Sequence, residues 1–502
     1  MKKQWLLTSL VMLLAAPAAI AQYYQPVLQN RITYFEGAEG SVCSMRIDSV
    51  QTKLNTVLYP LSNIVPILFE GEDSHHFSVQ GNSWFGPRIE SNSNGLSLFF
   101  NNENDTIEIH TLARLNDSWT LCRWHDTVLV QARIAVCDTM RFLGLVDSVK
   151  VIALSVSNNY PSGLSKILNN TTIVLSKNYG LITTPEFYAF PGNFLDDNSS
   201  FYNPKAVKLA GLTNPNVGLQ NMTMFDVFDF QPGDEIHEQH YSKVIAFGGF
   251  IKNYEQTDKY AYTYLTRNNY ADSIVYTRLC RHGRKYSSID SSSYTYREDT
   301  LKLVVRPDEE FDLSLPGQSI VTEYAAFCYT MTVDDVFTSK TRPSVQQWYM
   351  PSSPDSSVWR YFCCYDGSGS SHSYFKGIGG PYYYGEGGVD VYAVESCQPV
   401  YFKKGNTSWG TQLVFTNLTD EKSEVNIKVY PNPASRNLYI QFSITEPNVV
   451  FELFDVLGRK LVSTTLINGV NTLDIGAYRS GIYVYRIRNA KGILKNGTVE
   501  IK

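Results

Sequence analysis

His237-Glu238 with His240 holds the donor types of a zinc site. The spacing departs from H-E-x-x-H, and on an extended strand His237 and His240 point to opposite faces, so no metal is expected there. Gly367-Ser368-Gly369-Ser370 places serines among glycines. It is not G-x-S-x-G and no strand–turn–helix pattern surrounds it, so a flexible loop is expected. Cys363 or Cys364 with His372 pairs a thiol with an imidazole, but no spacing rule fixes their geometry, and disulfide use is the expectation. Gly377-Ile378-Gly379-Gly380-Pro381 runs into Tyr382-Tyr383-Tyr384 and the glycine-rich 385–388. Flat, amphipathic tyrosine faces beside glycines suit a sugar- or peptide-binding loop at Tyr382, Tyr383 and Tyr384. A plain glycine-rich connection between two strands is the simpler expectation. No G-K-[ST] follows, which excludes a phosphate loop. No catalytic residue, metal ligand or cofactor is assigned.

The elements that position these residues read as strands. Residues 42–50, 56–59, 95–100 and 106–112 are short apolar or alternating runs. The polar 101–105 stretch reads as the turn of a hairpin between the last two. Runs at 119–124, 128–136, 149–156 and 171–175 continue the pattern. In the second half, Pro232 and Gly233 suit the central positions of a type II turn, since Pro fixes φ and Gly accepts φ > 0. Tyr260, Tyr262 and Tyr264 fall on one strand face, opposite Ala261, Thr263 and Leu265. Helical periodicity is scarce and no fixed-period repeat is visible. The expected fold is all-β, with two or more β-sandwich or barrel-like modules.

At 502 residues the chain is too long for one compact domain. We expect modules at 22–195 and 196–418, divided in the Pro/Gly/Asn/Asp/Ser-rich stretch around 187–204. The net charge is −5. Residues 424–502 carry ten Lys/Arg against six Asp/Glu and Lys2 and Lys3 add two more positives, which leaves the region between at −11. So acidic a body argues against nucleic acid or anionic lipid as partner. All eight cysteines lie in that body. An even count without C-x-x-C fits disulfides rather than a metal knuckle.

At the N-terminus, Lys2 and Lys3 precede an apolar run, and Ala19-Ile20-Ala21 stands as an A-x-A cleavage site before Gln22. We expect 1–21 to be a signal peptide and the mature chain to start at Gln22. At the other end, a linker at 419–424 precedes residues 425–502, which read as about seven short strands: a small, Ig-like antiparallel β-sandwich. Gly458 sits where a tight turn needs φ > 0, and Gly481 where the backbone turns into a strand.

This last stretch resembles the type A C-terminal sorting domain (Por secretion tail) of Bacteroidota type IX secretion cargo. The residues that carry the resemblance are Val429-Tyr430-Pro431-Asn432-Pro433-Ala434, Leu438 with Ile440, Phe454-Asp455 before Leu457-Gly458, Leu473-Asp474-Ile475 and Ser480-Gly481-Ile482-Tyr483. The resemblance implies export through the inner and outer membranes by the machineries of each, and a place at the cell surface or outside it. It also implies removal of the tail by a surface protease, with cleavage around 416–424. More loosely, the body resembles those of other sorting-tail proteins through Ser83-Trp84-Phe85-Gly86 and Leu175-Ser176-Lys177-Asn178-Tyr179-Gly180-Leu181, which adds architecture only. For the body, a binding, adhesive or structural module with a glycan or protein ligand is expected, with a secreted hydrolase as the alternative.

Overall fold

A computed structural model describes residues 24–52, 55–67, 76–124, 128–156, 168–192, 206–246, 253–344, 348–353, 357–361, 370–387, 391–415, 427–442, 449–455, 459–489 and 493–502. The signal peptide with Ala19, Ala21 and Gln22, the adjacent Cys363 and Cys364, the 419–424 linker and Gly458 lie outside these residues. The chain forms two compact units, 1–415 and 416–502. Both are built almost entirely of antiparallel strands, and the described helices, such as Met224–Val227 and Glu309–Leu313, are short.

The body holds two main hydrophobic cores. The first gathers residues between 27 and 212, centred on Phe35, Phe85, Phe99, Phe187 and Phe190. Alternation builds it: along Val128–Phe142, the side chains of Val128, Val130, Ala132 and Ile134 are buried while Arg133 faces out. That strand turns back through Leu143 and Gly144 at φ 48° and 80° into Leu145–Val156, which is the φ > 0 pair a type I′ hairpin turn requires. The hairpin expected across 95–112 is present, with Leu96–Phe100 paired to Thr106–His110. Its five-residue turn is held by Asn101, whose Oδ1 accepts from the backbone N–H groups of Glu103 and Asp105 at 3.0 and 2.7 Å.

The boundary drawn at 195/196 lies outside the described residues, and the strands flanking it are paired, Gly180–Thr184 with Val207–Leu212. The latter also pairs with Thr33–Glu36, and Ser41–Met45 pairs with Thr330–Val333.

The second core gathers residues between 222 and 402. Its sheet carries the long strands Glu235–Ala246, Tyr254–Asn269, Ile274–Ser288 and Ser292–Val305 in that order, with Val391–Lys404 on the other side of the first and Gly379–Gly387 beyond it. The turn into it is the one expected: Gly233 has φ +95°, and the Asp234 N–H donates to the Gln231 carbonyl at 3.0 Å.

For the six cysteines among the described residues, the disulfide expectation is corrected. Cys43, Cys122, Cys137, Cys280, Cys328 and Cys397 are free thiols. They sit in separate surroundings: Cys122 is inside the first core, Cys137 is exposed on a hairpin, and Cys280 and Cys397 are on the sheet of the second core.

The described residues of the tail, from 427 on, form the small sandwich expected of 425–502. Its sheets are Lys428–Tyr430, Asn437–Phe442 and Gly469–Asp474, and Lys460–Thr465, Val450–Phe454, Gly481–Arg488 and Ile493–Ile501. Leu438, Ile440, Phe451, Leu453, Ile487 and Val499 fill the space between them.

Candidate functional site

In the tail, the Tyr430-Pro431-Asn432-Pro433 motif acts on the last strand. Each of its X–Pro bonds is cis, and Tyr430 ends the first strand of the unit. The Asn432 side chain then behaves as a piece of sheet edge. Its Nδ2 donates to the Thr498 carbonyl at 3.0 Å and its Oδ1 accepts from the Glu500 N–H at 2.9 Å. Ala434 continues the contact, donating to the Glu500 carbonyl and accepting from the Lys502 N–H, both at 2.8 Å. The final strand is thus held on one side by Gly481–Arg488 and at its end by the motif. Gly481 opens the neighbouring strand with φ +156°, followed by Ile482, which is exposed, and Tyr483, whose hydroxyl donates to the Arg479 carbonyl at 2.7 Å.

Beside this strand lies Glu452, 1% exposed and flanked by Lys460, Arg486 and Arg488 at 3.3, 2.9 and 3.2 Å. Burial by itself would raise its pKa. Hydrogen bonds from Arg488, Arg486 and Lys460 outweigh burial and lower the pKa to about 2. A carboxyl depressed in the fold adds stability above its unfolded pKa and loses it as pH falls through the folded one. The tail unit should therefore lose thermal stability as pH falls from about 4.5 toward about 2. A melting series on Glu452→Gln should show a flatter slope over that window.

In the body, the sheet of the second core brings chemistry-bearing residues together in rows. Glu238, Tyr260, His282 and Arg297 are direct partners across four adjacent strands, and His240, Asp258 and Arg284 form the next row. Direct partners in an antiparallel sheet share a face. Tyr260 stacks on His282 at 4.3 Å and 3°, and lies parallel to Tyr262 at 5.9 Å. The Arg278 guanidinium sits 3.9 Å from the Tyr262 ring centre.

His282 is committed at both nitrogens. Arg297 Nε, always a donor, points at Nδ1 at 3.1 Å, so Nε2 carries the proton and donates to Asp258 at 2.6 Å. Arg284 donates to the same Asp258 oxygen at 2.7 Å. Burial would raise the Asp258 pKa, and the bonds from Arg284, His282 and Gln256 lower it.

His240 has a different neighbourhood. Cys397 is its direct partner on Val391–Lys404, with Sγ 3.2 Å from Nε2. Glu238 Oε2 approaches the same nitrogen at 3.7 Å, and the Tyr382 hydroxyl lies 3.0 Å from Glu238 Oε1. A Cys-His-carboxylate relay uses the two ring nitrogens separately. Here thiol and carboxylate converge on one.

The candidates singled out from the sequence are placed as follows. His237 and His240 do face opposite ways: His237 is buried, bonded to Glu235 at 2.8 Å and accepting from the Leu413 N–H at 2.9 Å. Tyr382, Tyr383 and Tyr384 lie within the strand Gly379–Gly387, which corrects the loop expectation. Tyr382 is a core residue, Tyr383 is half-buried against the same core, and Tyr384, 53% exposed, lies past its edge. Cys397 was missed as a neighbour of His240 because register between strands 157 residues apart leaves no trace in spacing.

These arrangements define a β-rich protein that ends in a small antiparallel sandwich. Residues 428–499 match the Secretion system C-terminal sorting domain family, the Por secretion tail. The chain thus carries a type IX sorting tail and is secreted across the outer membrane to the surface or the medium. The match leaves the body outside it. No curated protein matches the chain in sequence. Among solved structures, it is similar at 9% identity to PorZ of Porphyromonas gingivalis, an essential bacterial surface component of the type-IX secretion system, over 92% of this chain and 79% of that one, with a TM-score of 0.13. The extracellular domain of a one-component or hybrid two-component system protein of B. thetaiotaomicron gives 10% identity over 96% and 91%, with the same TM-score. Likeness of that size carries nothing about activity.

Proposed function

We propose that the body is a binding module delivered outside the cell by its tail, and that its ligand is a glycan met by the Tyr260–Tyr262 face. The observation that carries this reading is the row of parallel rings on one sheet face, with Arg284 and Arg297 partly exposed at its margin. With the Tyr260 ring stacked on His282 and the Tyr262 ring under Arg278, the two half-buried tyrosines offer a sugar their edges and hydroxyls, and charged side chains beside them bond its hydroxyls. The hydrolase alternative lacks support on this face. His282 has no free ring nitrogen, and His240 cannot relay a proton between Cys397 and Glu238 through its ring. On this reading the signal peptide engages the machinery of the inner membrane, the tail engages that of the outer membrane, and a surface protease removes the tail. The body needs no cofactor for binding.

The test is a glycan screen of the full chain with a peptidase panel run alongside. A retained glycan whose binding falls about tenfold in Tyr260→Ala fits the loss of one tyrosine contact. Peptide hydrolysis that disappears in Cys397→Ser or His240→Ala would instead install the hydrolase, and capture of a protein with no glycan bound would replace the ligand class.

A further inference from the structure

We propose that Glu238, His240 and Cys397 form a binding site for a divalent transition metal of the zinc class. The proposal is independent of whether the Tyr260 face holds a glycan. Its basis is the convergence of three different donors from two strands. Glu238 and His240 stand two residues apart on Glu235–Ala246, and so on one face, while Cys397 is the register partner of His240 on Val391–Lys404. One ligand atom from each, a carboxylate oxygen, an imidazole nitrogen and the sulfur, lies within 4.8 Å of the others.

The two separations at His240 Nε2 are close to those between ligands of one ion. Zinc bonds of about 2.0–2.3 Å at tetrahedral angles put donor atoms about 3.3–3.6 Å apart. The sulfur–nitrogen distance is 3.2 Å and the nitrogen–oxygen distance is 3.7 Å. The approach of both sulfur and carboxylate to Nε2, which makes no sense as a proton relay, is what ligands around a shared centre do.

Donor chemistry narrows the ion. One sulfur, one imidazole and one carboxylate are too soft and too few for calcium or magnesium, and a single thiol cannot hold an iron–sulfur cluster. A mixed S/N/O set with three protein ligands is that of a zinc site with one position left over. Burial agrees: Cys397 is closed off at 4% exposure, while the side chains of His240 and Glu238 remain 37% and 18% exposed, so the open position faces the half-exposed side. Tyr382 supplies an outer contact. Its ring is fixed in the core, and its hydroxyl reaches the Glu238 oxygen that the ion would not use.

On binding, the Cys397 S–H bond is replaced by a sulfur–metal bond and the proton leaves to solvent, with no change of oxidation state.

The full chain, stripped with a chelator and titrated with Zn2+ against a chromophoric competitor, should take up one equivalent at this site. Co2+ in its place should give a thiolate-to-metal charge-transfer absorption. Cys397→Ser should abolish that absorption, and His240→Ala and Glu238→Gln should each weaken Zn2+ binding more than tenfold. Cys137→Ser, at an exposed thiol elsewhere, should change neither. Melting the metal-free variants beside the metal-free parent separates ligand loss from misfolding. The proposal is overturned if the parent chain binds no Zn2+ at micromolar concentrations, or if the cobalt band survives in a folded Cys397→Ser chain.

Discussion

Deletion of residues 425–502 should leave the body in the periplasm, with export to the surface or medium reduced to background. The expectation follows from how the chain is divided. The two main cores of the body draw on residues up to 402, and the tail has its own core from Ile427 to Ile501. Removing the tail takes away the sorting domain at 428–499 without opening either main core of the body. Fractionation with protease accessibility on intact cells measures the outcome. A melting curve of the truncated protein should match the first unit of the full chain, which distinguishes lost routing from lost folding. Truncated protein at the surface would remove the tail from the account.

The largest stability effect is expected from Lys340→Met. Lys340 lies on Thr338–Arg342 and is wholly buried. Its ammonium meets only acceptors: Asn221 Oδ1 at 3.0 Å, the Ser314 carbonyl at 2.7 Å, the Met222 carbonyl at 3.4 Å and the Phe311 carbonyl. Two of these carbonyls belong to the end of Glu309–Leu313 and the residue after it, so the lysine caps that helix from inside. The Phe311 and Tyr329 rings lie 4.4 and 5.3 Å away. Methionine fills the same volume and donates nothing. Each buried acceptor left without a donor costs about 1–3 kcal/mol, and because these act together we expect a total of about 3–5 kcal/mol.

Chemical denaturation of the full chain reads that loss, and a change below about 1 kcal/mol would mean the acceptors find other donors. There is also a pH signature. Burial pushes the Lys340 pKa down to about 7 against the pull of Asp312 and Asp308. A folded pKa below the unfolded value means the unfolded state binds more protons between the two. This group's contribution to stability should therefore grow as pH rises from about 7 to 10.5, and that growth should be missing in the Met variant.

Much of the architecture was legible because it depends on local rules. Alternation exposes a strand wherever one face is buried, as at Val128–Phe142, and turn chemistry at Asn101 and at Pro232-Gly233 needs only neighbouring residues. The tail was legible twice over, from its short strands and from its motif. What stayed hidden depends on register and burial. Lys340 in Thr-Ser-Lys-Thr-Arg has the sequence look of an exposed strand, and its capture by carbonyls from Met222, Phe311 and Ser314 is purely tertiary. Tyr382 follows glycines that suggest a loop, yet Gly379 and Gly380 take left-handed φ and the strand proceeds through them. The rows Glu238–Tyr260–His282–Arg297 and His240–Cys397 follow from pairing that no spacing encodes.

Residues 425–502 are expected to carry the outer-membrane address on their own. Fusing them behind an unrelated reporter that already has a signal peptide, in a cell with this export route, tests this most directly. The measurement is the fraction of reporter outside the outer membrane. The account predicts that the fusion appears at the surface or in the medium while the reporter without the tail stays periplasmic; a fusion that stays periplasmic with the untagged reporter would contradict it.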